Sequence, residues 1–454
     1  MKRVSLLSIL ASLCLGPSAV AALPEAPRPN IIFILTDDFG WGDLGSYGGK
    51  FVPTPNLDRM ASEGVRFTQF YVASPICSPS RTGCTTGMFP ARWRITSYLQ
   101  TRKGNAACEQ ADFLNPEAPS LALQLKSAGY ATAHIGKWHM GGGRDVTNAP
   151  SIGRYGFDEW VSTWESPDPH PDITAKNWIW SEEDKVKRWE RTGFFVDKTL
   201  DFLRRHTSQP CYINLWPDDT HDPFVPSPEL KQKYNAGNNP KGEPNFKGVL
   251  EEYDRQMGRL FEGLKRLGLT NTLVLFSGDN GPMPSYDQRR TGGLRGTKLS
   301  LYEGGNREPL LAWWPGHAPA GSVNTRTVFT TLDLFPTLCH LAGAIIPPEL
   351  AAKLDGEDLT PALLGKTPLR RKTLFWEYGR NTNSFSYPKE PANRSPNLAV
   401  REGDWKLLIN ADGSGAELYH LASDPREEKN LAADQVKITK RLSEAVLNWR
   451  KTLP

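Results

Sequence analysis

Short apolar runs separated by helical patterns constrain this chain more than any other feature. Segments 30–35 and 273–276 are apolar runs of strand length, and 65–72, 130–135 and 211–216 also read as strands. Between them lie helical patterns. Segment 54–63 opens on Thr-Pro and stops at Gly64, 119–128 ends at Gly129, and 194–205 precedes a strand. Val249, Leu250, Tyr253, Met257, Leu260, Phe261 and Leu264 recur at three- and four-residue steps, the period of an amphipathic helix. Apolar strands alternating with helices predict an α/β fold: a large, mainly parallel sheet sandwiched by helices. Beyond about residue 366 the texture changes. Segments 373–378, 398–401, 405–409 and 417–420 read as short strands between Gly- and Asp-rich turns, and 438–449 reads as a terminal helix. A smaller C-terminal antiparallel sheet is expected there. The division expected is a leader over 1–22, an α/β domain over 23–365 and a C-terminal subdomain over 366–454.

The polar residues fall where such a sheet would use them. Asp37 and Asp38 follow the first strand, and Lys137 and His139 follow the strand ending at 135. His221 comes soon after the strand ending at Trp216, and Asp279 and Asn280 follow the strand ending at Phe276. Open α/β sheets bind ligands beyond the carboxyl ends of their strands. Four separate segments therefore bring charged or metal-ligating groups to one sheet edge. Three carboxylates and an amide form an oxygen-only donor set, which selects a hard cation such as Ca2+.

Composition sets the boundaries. Lys2 and Arg3, an apolar run over 6–15 and Ala19-Val20-Ala21 form the pattern of a secretory leader, cut near Ala21 or Ala22. The protein is therefore expected to be exported, periplasmic or secreted. The apolar run is shorter than the ~20 residues of a membrane span, and no later segment qualifies. Formal net charge is +4, two units of which come from Lys2 and Arg3. The short basic runs 185–191 and 370–372 read as solvated surface, so no nucleic-acid partner is expected. Outside the leader the cysteines are Cys77, Cys84, Cys108, Cys211 and Cys339. Their spacing is not that of a zinc site. Cys211 and Cys339 sit in apolar runs and read as buried thiols, and a Cys84–Cys108 pair remains open.

Cys77-Ser78-Pro79-Ser80-Arg81-Thr82-Gly83-Cys84-Thr85-Thr86-Gly87 resembles the C-x-P-S-R-x4-T-G motif of type I sulfatases, in the alkaline-phosphatase-like superfamily. The resemblance covers nearly the whole mature chain. It continues through Pro29-Asn30-Ile31-Ile32 to Asp37-Asp38, Gly136-Lys137-Trp138-His139, Gly278-Asp279-Asn280-Gly281, Gly293-Leu294-Arg295-Gly296-Thr297-Lys298 and Glu402-Gly403-Asp404-Trp405-Lys406-Leu407. It implies that a formylglycine-generating maturase converts Cys77 to an aldehyde, whose hydrate attacks sulfur. It also implies Ca2+ held by Asp37, Asp38, Asp279 and Asn280 and completed by the modified Cys77. By the same resemblance Arg81 holds the hydrate, and Lys137 and Lys298 contact the sulfate. His139 acts as base, and His221 acts with Lys298 as general acid near the leaving oxygen, although Asp222 departs from the family's usual H-x-P context.

The substrate implied is a sulfate ester, with sulfated carbohydrate foremost. Trp160, Trp164, His170, Trp178 and Trp180 form an aromatic-rich stretch suited either to sugar stacking or to packing. Arg289, Arg290 and Arg295 precede Lys298. Arg289 and Arg290 are candidates, with His170, for binding an anionic glycan, whereas Arg295 is equally read as structural. Two competing readings are a phosphoesterase or phosphonate hydrolase of the same superfamily and a non-catalytic binder of sulfated glycans.

Overall fold

The computed structural model describes residues 28–381 and 383–454; the expected leader lies outside the described residues. The main sheet contains β1 Asn30–Thr36, β2 Val65–Tyr71, β3 Ala131–Gly136, β4 Glu159–Ser162, β5 Cys211–Trp216, β6 Thr272–Gly278, β7 Arg307–Trp313, β8 Ser322–Asn324 and β9 Phe329–Thr330. Their order is β4-β3-β5-β1-β6-β7-β2-β8, and β9 also pairs with β2. Strands β4, β3, β5, β1 and β6 are mutually parallel. Only β7 runs against both its neighbours, β6 and β2. The sequence reading did not include β4, β7, β8 or β9. Pro309 and the charged pair Arg307-Glu308 disguise β7, and the other three are four residues or fewer.

Alternation along β1 serves two cores. Ile31, Phe33 and Leu35 join the core under helices Cys77–Thr86, Leu121–Ser127 and Leu334–Leu341. Ile32 and Ile34 join the core under Pro55–Glu63, Arg191–Arg205 and Glu243–Arg266. Full burial of each such side chain contributes about 1.5–3 kcal/mol. The sheet is thus a rigid plate whose carboxyl edge presents the loops.

Four further strands, β10 Leu374–Glu377, β11 Leu398–Glu402, β12 Trp405–Ile409 and β13 Glu417–His420, form an antiparallel sheet in that order. One face packs on the main sheet's edge, with Trp376, Ala399 and Leu408 against Tyr71, Ile76 and Tyr302. The other face carries helix Val436–Lys451 through Leu442, Val446 and Trp449. Lys406 is fully buried and pairs with Glu303 (2.8 Å) and Glu427 (3.0 Å). Among the described residues no helix is long and apolar enough to cross a membrane. All five described cysteines are buried free thiols, so the Cys84–Cys108 pairing left open by the sequence is not formed.

His134 in β3 is fully buried, and neither ring nitrogen has a hydrogen-bond partner among the described residues. It sits edge-on to Trp138 and Trp216. Burial pushes its imidazole down from 6.5 to about 3. Between those values the unfolded chain binds a proton that the fold excludes. Stability therefore rises with pH across that window and is lost as pH falls from about 6.5 toward 3, at up to about 1.4 kcal/mol per pH unit. His134→Leu is expected to flatten the acid limb, read as the urea midpoint at pH 4, 5, 6 and 7. An unchanged pH slope would remove His134 from the account.

Candidate active site

Each functional loop leaves the carboxyl end of a strand or begins a helix. Asp37 and Asp38 turn off β1, with Asp38 at φ 53°, a left-handed backbone uncommon for a residue with a Cβ. The turn aims the Asp38 N–H at Asp279 Oδ1 (3.0 Å), and Asn280 Nδ2 donates to Asp38 Oδ1 (2.7 Å). The loops after β1 and β6 are thereby bound together.

Cys77 is the first residue of helix Cys77–Thr86, so its thiol faces the positive end of the helix dipole. Arg81 lies one turn on, which keeps it on the same face. It is fully buried and gives Nε and Nη2 to Asp279 Oδ2 (3.0 and 2.7 Å) and Nη1 to the Lys137 carbonyl (2.8 Å). Its guanidinium lies 5.2 Å from the centre of the Trp216 ring. Burial pushes the Cys77 thiol up to about 11 against the pull of Lys137 and Lys298. An unmodified Cys77 is therefore protonated near neutral pH and a poor nucleophile.

Lys137 and His139 leave β3 through Gly136, whose φ is 121°. A Cβ there would lie 2.1 Å from the Trp216 carbonyl oxygen, so only glycine fits. Lys137 Nζ reaches Asp37 Oδ2 at 2.7 Å. Burial works against its ammonium, but Asp37, Cys77 and Glu165 outweigh it and hold it well above the usual lysine range. His139 directs Nε2 at the Leu99 carbonyl (3.0 Å), so Nε2 donates and the neutral ring presents a lone pair at Nδ1. That Nδ1 lies 3.3 Å from Glu165 Oε2 and makes no hydrogen bond. Burial pushes the ring down to about 3, opposed by Glu165.

Lys298 Nζ holds both oxygens of Asp38 (2.6 and 2.8 Å). His221 places Nδ1 2.6 Å from the Asp222 carbonyl and Nε2 3.7 Å from Asp38 Oδ2. Its side chain is 20 % exposed, against 6 % for Lys137 and 7 % for Lys298, so the site opens on the His221 side. Ligand atoms of Asp37, Cys77 and Asp279 lie within 4.8 Å of one another. Burial pushes Asp279 up to about 7, with Asp37 and Asp38 adding to the rise against Arg81.

The remaining candidates spend their side chains on other contacts. Arg290 is buried, gives Nη2 to Asp43 (2.7 Å) and to the Asp38 carbonyl (2.7 Å), and lies over Phe246. The expected glycan contact is therefore corrected: its guanidinium is spent on bracing the Asp38 turn. Arg289 is half-exposed, pairs with Glu243 and lies over Phe51. His170 packs on Phe194 and accepts the Asp172 N–H (3.2 Å). Arg295 lies over Tyr302 and donates to Tyr419 Oη (2.8 Å), tying the late lysine loop to the second sheet.

Sequence reasoning missed Glu165, which is buried among Lys137, His139 and Arg144. It lies just beyond β4, so the rule that found the other residues would have found it had that strand been recognised.

Residues 29–344 match the family described as Sulfatase, and residues 297–452 match one described as N-sulphoglucosamine sulphohydrolase, C-terminal. An N-acetylgalactosamine-6-sulfatase of Sus scrofa is 35 % identical over 94 % of this chain and 85 % of its own length. A solved structure from work on glycosaminoglycan metabolism by Bacteroides thetaiotaomicron superposes with a TM-score of 0.75 at 26 % identity, covering 92 % of this chain and 98 % of that one. A second, Ps i-CgsB in complex with a neocarrahexaose, gives a TM-score of 0.75 at 25 % identity over 93 % and 92 % of the two chains. With the motif helix, the acid cluster and the two lysines converging on one sheet edge, the chain belongs to the sulfatase family and is a sulfuric ester hydrolase.

Proposed function

We propose that this enzyme removes sulfate from sulfated glycans, using formylglycine made from Cys77 and a bound Ca2+. The observation that carries the reading is the meeting of Cys77, Asp37 and Asp279 within one ligand-sized space, ringed by Arg81, Lys137 and Lys298. The glycan assignment draws on relatives named for N-acetylgalactosamine sulfate and on the carrahexaose complex.

The residues fit both groups. Asp37 Oδ1 and Asn280 Oδ1 are buried with no hydrogen-bond partner among the described residues. Unsatisfied buried acceptors are costly, and a hard cation held by Asp37, Asp38, Asp279 and Asn280 would satisfy them. When bound, the ion supplies positive charge to the sulfate oxygens. The hydrated aldehyde supplies two hydroxyls on one carbon, one to displace the alcohol and one whose deprotonation lets sulfate leave. Cys77 and Arg81 are buried, so the maturase must reach the Cys77-x-Pro79-x-Arg81 segment before it folds. The leader-like N-terminus agrees with an exported enzyme, periplasmic or secreted.

The other side chains then have assignable work. Arg81 orients the modified residue by charge-assisted hydrogen bonds. Lys137 and Lys298 offset sulfate charge in a dry site, where such groups act strongly. His139, with Nε2 fixed on the Leu99 carbonyl, takes a proton at Nδ1. His221, the exposed member, protonates the departing sugar oxygen from Nε2. Comparing kcat/KM for an aryl sulfate and the matching aryl phosphate tests the reading. Sulfate should lead by about 100-fold or more, some 2.7 kcal/mol. A phosphate preference would make the enzyme a phosphoesterase instead.

A further inference from the structure

Beside the sulfate centre lies a second group of contacts to which the reaction assigns no role. The loop after His139 runs through three glycines to Arg144, which has φ 55°. It lies flat on the loop beyond β4, and a Cβ on Gly142 would meet Pro167 N at 2.2 Å. Arg144 Nη2 donates to Glu165 Oε1 at 2.9 Å. The other oxygen of that carboxylate lies 3.7 Å from Lys137 Nζ and 3.3 Å from His139 Nδ1. One carboxylate therefore separates the Arg144 guanidinium from two residues of the sulfate centre.

Arg144 differs from the other cations around this floor. Arg81 is 0 % exposed and Lys137 6 %, whereas the Arg144 side chain is 27 % exposed. Among the described residues its buried Nε has no hydrogen-bond partner, and the carboxylate it pairs with is shared with Lys137 and His139. A guanidinium offers five donors in a fork matched to carboxylate and sulfate oxygens. Arg144 also lies over the buried Trp164 ring, 4.7 Å from its centre. Trp164 in turn packs against Trp178 at 5.5 Å. Trp178 is 55 % exposed. An exposed indole and a part-exposed guanidinium that pack on the same buried ring, Trp164, have the composition of a ligand subsite, an apolar wall with a few placed polar groups.

We propose that Arg144 and Trp178 form a sugar subsite beside the sulfate centre, in which Arg144 reads a second anionic group on a ring that lies against Trp178. The second group is a carboxylate or a further sulfate. This rests on the glycan reading above and adds the requirement for a second negative charge.

The test uses the matured enzyme and four probes: an aryl sulfate, a 6-sulfated N-acetylhexosamine, the same sugar carrying a second sulfate, and a disaccharide joining the 6-sulfated sugar to a uronic acid. In the wild type at least one doubly charged sugar should lead the singly charged one in kcat/KM by about 10–100-fold, the scale of one charge-assisted hydrogen-bonded contact. Arg144→Ala should collapse that ratio, mainly through KM, and Arg144→Lys should recover part of it. Trp178→Ala should weaken all three sugars relative to the aryl sulfate. Whichever doubly charged probe loses its lead identifies the anion. A wild type that does not discriminate between one charge and two would overturn the proposal. So would an Arg144→Ala variant that slows all four probes equally, because Arg144 would then only hold Glu165. Hydrolysis of the aryl sulfate with no turnover of any sugar would instead sink the glycan reading.

Discussion

Cys77→Ala is expected to abolish sulfate-ester hydrolysis, lowering kcat by about 10⁴–10⁶, the loss seen when an enzyme's nucleophile is removed. The fold should survive. Cys77 is buried at the start of its helix and lacks a disulfide partner among the described residues, and trimming so small a buried group costs on the order of 1 kcal/mol. Circular dichroism should therefore give a melting temperature within a few degrees of the wild type. Cys77→Ser separates the two halves of the reaction. A single hydroxyl accepts the sulfuryl group but cannot expel it by re-forming a carbonyl. A burst of released alcohol with no steady turnover is the outcome to look for. Mass analysis of tryptic fragment 67–81 from protein made in its own host reports on the same residue directly. Appreciable turnover by Cys77→Ala, or an unaltered thiol in active enzyme, would end the formylglycine account.

Stripping divalent ions is expected to have the second largest effect. Asp37, Asp38 and Asp279 are buried within one cluster, and burial, with Asp37 and Asp38 beside it, lifts Asp279 against the pull of Arg81. An ion present at 100–1,000 times its dissociation constant stabilises the fold by about 2.7–4.1 kcal/mol. Chelation should therefore lower the melting temperature by several degrees and cut activity by at least about 10³, with both losses reversed by Ca2+. Mg2+ should restore less, because it demands octahedral geometry and sheds water reluctantly. Full activity in protein shown by elemental analysis to be metal-free would remove the ion from the mechanism.

What the sequence disclosed follows from local physics. Strands β1, β3, β5 and β6 are buried on both faces, so their apolar runs stand out, and the polar residues just past them mark the sheet edge. Pro55 begins the first α-helix where helix-start chemistry predicts it, and Thr54 holds the N-cap position, although its hydroxyl accepts the Gly45 N–H rather than a helix donor. Glu165 escaped for the complementary reason. It depends on β4, a four-residue strand with partly exposed side chains and one sheet partner, which carries almost no periodic signal. Arg290 was misjudged because a basic residue before Lys298 looks the same whether it faces solvent or folds back on Asp43. Only long-range packing distinguishes the two, and no short window of residues contains it.

The buried ammonium of Lys406 clasps one acid from each half of the molecule, since Glu303 precedes β7 and Glu427 follows β13. Grafting the last strands of a relative onto this catalytic plate would succeed only if that triad travelled intact. A chimera lacking the lysine would leave Glu427 without its cation inside the seam, at about 3–5 kcal/mol, and Glu303 with Arg307 alone. In evolutionary exchange the two sheets are therefore constrained to move as one inherited block.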